Sequence, residues 1–272
     1  MIQFPNCKIN LGLSILSKRP DGFHDIETIM YPVPFIDALE IIPASDGEFM
    51  FQSTGLVIPG VSEDNLCVRA FRLLQADFGL PQVKMHLHKV IPVGSGLGGG
   101  SSDGAFAIKM LNELFDLGME NEKLKDYARM LGSDCAFFID DKPVFAFEKG
   151  DMFEQTAIDL SGLFLVLVIP AVHVATSDAY REVVPETPKH TIREVVGFPA
   201  DLWKSMLVND FEIPVNSKFP VIGKIKQQLY DAGAIYASMS GSGSTVYGLF
   251  AEDPHFTISP AHTAATYFGA IL

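Results

Sequence analysis

Pro92-Val93-Gly94-Ser95-Gly96-Leu97-Gly98-Gly99-Gly100-Ser101-Ser102-Asp103 is the stretch that decides how this chain reads. Five of its twelve residues are glycine. A backbone without Cβ atoms, free to take positive φ, can approach a polyanion closely. Ahead of the run, Val83, Met85 and Leu87 alternate with Lys84, His86 and His88, the period of a strand. Behind it, Phe106, Ala107, Met110, Leu111, Leu114 and Leu117 repeat at helical spacing, and Gly118 stands where a C-terminal cap belongs. Strand, glycine loop and helix amino terminus make a phosphate cradle, because the free N–H groups and the helix dipole favour an anion there. The sequence thus predicts a nucleotide-using enzyme.

Gly94-x-Gly96-x-x-Gly99 matches the dinucleotide-binding fingerprint literally. That fingerprint also needs an acidic residue at a second strand end about 20 positions on. Asp116 has the distance but falls inside the helical pattern, so a nicotinamide enzyme is disfavoured. The Walker pattern is absent, since no lysine follows Gly99 or Gly100. A plain turn would not need so many glycines and serines. Ser101 and Ser102 can cap the helix, and can equally face a phosphate or a magnesium ion bridging phosphates.

The 272 residues suit one large domain or two modest ones, and 48% hydrophobic against 19% charged residues argues against disorder. The net charge is −13, from 33 acidic and 20 basic residues, which disfavours sequence-independent nucleic-acid binding. Cys7, Cys67 and Cys135 form no C-x-x-C pair, so neither a disulfide framework nor a zinc site is expected, and a reducing cytoplasm fits. Met1 to Asn6 shows no basic region followed by an apolar run, which predicts no signal or transit peptide. Leu163 to Pro170, the most apolar stretch, is too short to span a bilayer and reads as a buried strand. His86 and His88 make an H-x-H with no third ligand suggested, so no protein metal site is assigned.

Working outward, Ile9, Leu11, Leu13 and Ile15 share one strand face, and Lys8, Asn10, Gly12 and Ser14 the other. Arg19-Pro20-Asp21-Gly22 is a turn. Strands are expected over 26–43, 144–153 and 163–170. A helix should start at Ser62-Glu63-Asp64-Asn65 and end at Gly79, and another should cover 121–131. A Pro-punctuated excursion over 176–200 has some helix. Then come a helix over 221–232, a strand, a second glycine-serine turn at Ser240-Gly241-Ser242-Gly243-Ser244, and another strand. Strands and helices mix without strict alternation, so the expected class is α+β, with a boundary between 150 and 160.

Three separated segments resemble one family. They are Pro5-Asn6-Cys7-Lys8-Ile9-Asn10-Leu11 with Arg19-Pro20-Asp21-Gly22-Phe23-His24, then Pro92 to Asp103, then Ser238-Met239-Ser240-Gly241-Ser242-Gly243-Ser244. Together they resemble the GHMP small-molecule kinases. The K-I-N and D-G-F-H segments, with Gly132-Ser133-Asp134, are similar to the branch that phosphorylates the 2-hydroxyl of 4-diphosphocytidyl-2-C-methyl-D-erythritol in non-mevalonate isoprenoid synthesis. The resemblance implies a ribosomal-S5-like domain over 1–153 carrying the ATP loop, a ferredoxin-like domain over 154–272, and an active site in the cleft between them.

The same resemblance implies the roles. Lys8 and Asp134 would be catalytic, Lys8 between the substrate hydroxyl and the γ-phosphate, Asp134 as general base. Alone, Lys8 reads as a solvated strand lysine, the usual fate of a lone lysine, and Asp134 as a helix cap or turn residue. Pro92 to Ser102 would hold the ATP phosphates, with Asn65 at the adenine. Asn10, Phe23, His24, Thr176, Tyr180, Gly241, Ser242 and Gly243 would meet the substrate. Phe23, where many members carry tyrosine, and Tyr180 would sandwich the cytosine, while His24 reads its edge. The glycine-serine turn also suits a simple hairpin. Magnesium would arrive with ATP. The alternatives are another kinase of the family, of homoserine or mevalonate type, and a non-catalytic nucleotide sensor, which would be expected to lack Lys8 or Asp134. Monomer and homodimer both stay open.

Overall fold

The computed structural model describes residues 1–254 and 263–271. Residues 255–262 and Leu272 of the domain expected over 154–272 lie outside the described residues. Among the described residues the strands are β1 (Ile2–Gln3), β2 (Asn6–Lys18), β3 (His24–Ile36), β4 (Ala38–Pro43), β5 (Met50–Gly55), β6 (Val83–Lys89), β7 (Val144–Glu148), β8 (Met152–Gln155), β9 (Phe164–Pro170), β10 (Tyr236–Met239), β11 (Val246–Phe250) and β12 (Thr263–Ala270). The helices are α1 (Leu66–Phe78), α2 (Gly99–Leu114), α3 (Asn121–Leu131), α4 (Phe137–Asp140), α5 (Thr176–Glu182), α6 (Ile192–Val195), α7 (Ala200–Met206), α8 (Glu212–Lys218) and α9 (Pro220–Asp231). Three four-stranded sheets result, ordered β1-β4-β6-β5, β2-β3-β7-β8 and β10-β11-β9-β12. The class is α+β.

Two compact units interleave along the chain. One comprises Met1–Cys7, Phe35–Val93 and Gly98–Lys142; the other comprises Lys8–Pro34, Gly94–Leu97 and Pro143–Leu272. A division at 153/154 is linear, and this one is not. Its cause is strand pairing: β3 pairs antiparallel with β7, so residues 8–34 belong with later chain.

In the first unit, β6 pairs antiparallel with β4 and parallel with β5. Its alternation buries Val83, Met85 and Leu87, and also Lys89. Helix α2 packs on α1, α3, α4 and β4. Helix α1 starts where Asn65 Oδ1 accepts from Cys67 N at 2.9 Å, and stops at Gly79, which takes a left-handed conformation. Helix α2 ends at Leu114, short of Leu117 in the apolar repeat. There Leu117 N reaches back to Asn112 O, and Asp116 turns left-handed at φ 48.

In the second unit, β2 is not half-solvated as its alternation suggests. Residues 8–15 are buried on both faces. Leu13 N donates to Val208 O, and the Tyr247 hydroxyl donates to Asn10 O at 2.7 Å. The third sheet pairs antiparallel throughout. Helix α9 lays Ile222, Ile225 and Leu229 against Val166, Val168, Ala237 and Met239. Each such apolar side chain, fully buried, contributes about 1.5–3 kcal/mol.

Candidate active site

In the second unit the expected catalytic lysine is buried, with 3% of its surface exposed, which removes the solvated-strand reading. A buried ammonium needs acceptors. Lys8 Nζ donates to Asn10 Oδ1 at 2.5 Å and to Gly96 O at 3.2 Å. Asn10 Nδ2 in turn donates to Thr28 Oγ1, which donates to Gly12 O. Backbone bonds stitch the loop into this niche: Lys8 N to Leu97 O at 2.9 Å, and Thr245 N to Ser95 O at 3.0 Å. Ser240 Oγ donates to Gly96 O at 2.9 Å. Gly96 has φ +82, and a Cβ there would lie 2.1 Å from Ser240 O. Only glycine lets these two turns touch. Three segments far apart in sequence therefore meet here: β2, Gly94–Leu97 and Ser240–Ser244.

The turn at Ser240–Ser244 joins β10 and β11 as a hairpin, and it is braced from residues the sequence did not single out. Asn209 Nδ2 donates to Met239 O and Gly241 O, each at 2.8 Å, while its Oδ1 accepts from Phe211 N at 3.0 Å. Glu212 Oε1 accepts from Ser238 Oγ and Met239 N. The local signal was Asn209-Asp210 ahead of Phe211, an Asx-turn pattern. Thr176 and Ser242, both expected at the substrate, place their hydroxyls 3.0 Å apart. His173 was also missed: a Cβ on Gly94 would lie 2.7 Å from its Cε1.

Phe23 and His24 follow the β2–β3 turn, closed by Arg19 N donating to Phe23 O at 2.8 Å. The Phe23 ring is 59% exposed, with Lys149 Nζ 5.3 Å from its centroid. His24 stacks on Tyr180, centroids 4.9 Å apart and planes at 26°. Tyr180 thus lies against the imidazole. Burial, then the Lys18 charge, lowers the His24 pKa and favours the neutral ring.

The first unit carries Gly98–Asp103, the start of α2 and its row of amides. Ser102 Oγ is fully buried there with no hydrogen-bond partner. Cys135 packs by Ser101 and Asp134; burial, opposed by the Ser101 hydrogen bond and aided by the Asp134 charge, lifts its thiol to about 12. Asp134 lies half-buried in the turn between α3 and α4, with Ser133 Oγ 3.4 Å from its Oδ1. Asn65 stands at the start of α1 as a cap.

Beneath α2 sits a cluster the sequence did not reveal. Lys89 Nζ donates to Asp37 Oδ2 at 2.5 Å and to Asp103 Oδ2 at 2.6 Å. Burial works against the Lys89 charge, but the two carboxylates outweigh it and raise its pKa. Burial, opposed by Lys89 and reinforced by Asp37, pushes Asp103 up to about 7. Elsewhere His86 Nε2 and His88 Nδ1 each lie 3.0 Å from Thr54 Oγ1. Among the described residues no group of three His, Cys, Asp or Glu could hold a metal, and no helix is long and apolar enough to cross a membrane.

Residues 65–148 match the GHMP kinases N terminal domain, and residues 199–256 the GHMP kinases C terminal domain. A 4-diphosphocytidyl-2-C-methyl-D-erythritol kinase of Cytophaga hutchinsonii is 52% identical over 255 residues, 93% of this chain and 94% of that one. The chain belongs to the GHMP kinases. Another relative, the 4-diphosphocytidyl-2-C-methyl-D-erythritol kinase of Bacteroides fragilis, is 51% identical over 259 residues, 94% of each chain. Among GHMP kinases of known structure, a 4-(cytidine 5'-diphospho)-2C-methyl-D-erythritol kinase aligns with TM-score 0.79 and 30% identity, covering 92% of this chain and 90% of that one. The mevalonate kinase of Methanococcus jannaschii aligns at TM-score 0.70 over 92% of this chain and 90% of its own, at 14% identity, which shows a shared fold.

Proposed function

We propose that this GHMP kinase transfers the γ-phosphoryl group of ATP to the 2-hydroxyl of 4-diphosphocytidyl-2-C-methyl-D-erythritol, giving ADP and the 2-phosphate. The observation that carries the reading is the buried Lys8 ammonium, held by Asn10 and by the Gly96 carbonyl of the glycine loop. A cation built into a phosphate loop suits phosphoryl transfer, where positioning and charge neutralisation supply most of the rate. Relatives of about half identity carry the name of that kinase, which sets the acceptor.

In this reading the amides of Gly94 to Ser102 and the α2 dipole take the phosphates, and Asn65 lies toward the adenine. Lys8 neutralises charge that builds on the transferred group. Asp134 accepts the hydroxyl proton as the O–P bond forms. Asn10, Thr176 and the Gly241-Ser242-Gly243 turn hold the acceptor, while Phe23, Tyr180 and neutral His24 take the cytosine. The buried, unpartnered Ser102 hydroxyl fits a magnesium ion, which Ser101 and Ser102 would hold. When bound, that ion neutralises the β- and γ-phosphate oxygens. Cys7, Cys67 and Cys135 are buried and none is joined in a disulfide, which suits a reducing compartment, and we assign the protein to the cytoplasm.

The test is a coupled ADP-release assay against a panel holding the cytidyl substrate, its uridyl analogue, homoserine and mevalonate. The reading expects turnover with the cytidyl substrate and a strong preference for it over the uridyl one. Preferred turnover of homoserine or mevalonate would overturn it.

A further inference from the structure

Lys89 is the last residue of β6 and falls on the strand's buried face, in step with Val83, Met85 and Leu87. Its ammonium is held from two directions. Asp37, between β3 and β4, takes it on Oδ2, and with Oδ1 takes Val90 N at 2.5 Å and Ile91 N at 2.8 Å, the first two amides after the strand. Asp103, on the opening stretch of α2, takes it on Oδ2. Lys89, Asp37 and Asp103 are each exposed by 3% or less. The same ammonium lies against the first residue of α2: a Cβ on Gly99 would stand 3.2 Å from Lys89 Nζ and 2.7 Å from Ile91 Cγ2. Strand exit and helix start are therefore joined through one buried charge.

Stability alone is a poor reason for such a cluster. Burying ions costs about as much as their attraction returns, and an apolar core is often as stable or more so. What a hydrogen-bonded ion cluster adds is a fixed geometry, since each partner left alone in the interior is heavily penalised. A phosphate cradle depends on that geometry, because its donors must already point at the anion before it arrives.

We propose that Lys89 is a positioning residue for the phosphate loop. With Asp37 and Asp103 it locks the start of α2 against the end of β6, so that the amides of residues 99–102 stay aligned on the nucleotide phosphates. The proposal rests on the reading of that loop as the ATP site.

Replacing Lys89 by Met leaves two carboxylates facing each other in the interior, so that variant is at risk of not folding. Asp103→Ala is the decisive variant: it frees α2 while Lys89 keeps Asp37. The expected result is a KM for ATP raised about tenfold or more, with the KM for the cytidyl substrate within about twofold of the parent. In the unliganded protein, amide hydrogen exchange should quicken at residues 99–103 and stay unchanged in β10 and β11. Asp103→Asn, which restores an acceptor for Lys89, should recover most of both effects. A normal KM for ATP with unchanged exchange at 99–103 in Asp103→Ala would overturn the proposal. So would failure of Asp103→Asn to rescue. If the parent protein binds no ATP, the functional reading fails, and the exchange comparison decides the positioning claim by itself.

Discussion

The ammonium of Lys8 and the side-chain oxygen of Asn10, two residues apart on one face of β2, lie 2.5 Å from each other in the protein interior. A strand places such a pair side by side, and Thr28 and Gly96 complete the polar niche around them. Lys8→Met takes the short Lys8 bond from Asn10 Oδ1, leaving it a 3.5 Å contact from Ser240 Oγ, while Gly96 O keeps its bond from Ser240 Oγ. The lost bond costs about 1–3 kcal/mol of stability. The larger effect is on rate. We expect kcat to fall by about 10³-fold with cytidyl-substrate binding little changed, measured by steady-state turnover beside calorimetry. Arg at this position should not restore turnover, because a planar fork does not fit a site built for a compact ammonium.

Asp134→Asn keeps the turn between α3 and α4 and removes the proton acceptor. Turnover should drop by about 10²–10⁴-fold while ATP affinity holds, read by fluorescent-nucleotide titration beside ADP release. A variant retaining near-parental turnover takes Asp134 out of the base role.

Gly96 and Gly100 offer a matched comparison. A Cβ at Gly96 would lie 2.1 Å from Ser240 O on a backbone at φ +82, whereas one at Gly100 meets nothing within 4 Å. Gly96→Ala should cost about 1–3 kcal/mol for the backbone conformation alone, and more for the displaced carbonyl. Gly100→Ala, in the first turn of α2, should leave stability the same or up to about 1 kcal/mol higher. Urea-unfolding midpoints separate the two. Equal midpoints would mean that the contact between the two glycine turns is not close in solution.

Asp103 gives a pH signature. Burial lifts its pKa to about 7, so the folded protein holds a proton that the unfolded chain releases near pH 4. Between those values the folded state binds more protons, and stability falls as pH rises. Asn cannot ionise. The melting temperature of Asp103→Asn minus that of the parent should therefore grow from about pH 4 to pH 7 and level off above it. A difference independent of pH would mean that Asp103 is ionised throughout.

Much of this was legible in the sequence, for physical reasons. The glycine run, the helix behind it and the strand ahead of it are local patterns, and local patterns set β6 and α2. Helix α3 covers Asn121–Leu131 as its apolar spacing indicates. What stayed hidden depends on partners distant in the chain. Lys89 continues the buried parity of β6, yet a lysine after His88 reads as a solvated strand end until Asp37 and Asp103 are seen around it. The polar face of β2 reads as exposed because the groups that cover it come from elsewhere in the chain, from Thr28, from Gly96 and Leu97, and from strands and loops beyond residue 200. Asn209 and His173 meet the glycine turns only through the fold.

The most direct test follows the phosphorus. Purified protein is mixed with ATP, magnesium and 4-diphosphocytidyl-2-C-methyl-D-erythritol, and the reaction is read by ³¹P NMR. Carbon 2 bears a methyl group and no hydrogen, so a phosphate placed there has no three-bond coupling to a proton. The account predicts an uncoupled phosphomonoester signal that grows in step with ADP and is lost in Lys8→Met. ADP without a new phosphomonoester, or a phosphomonoester coupled to carbinol protons, would contradict it.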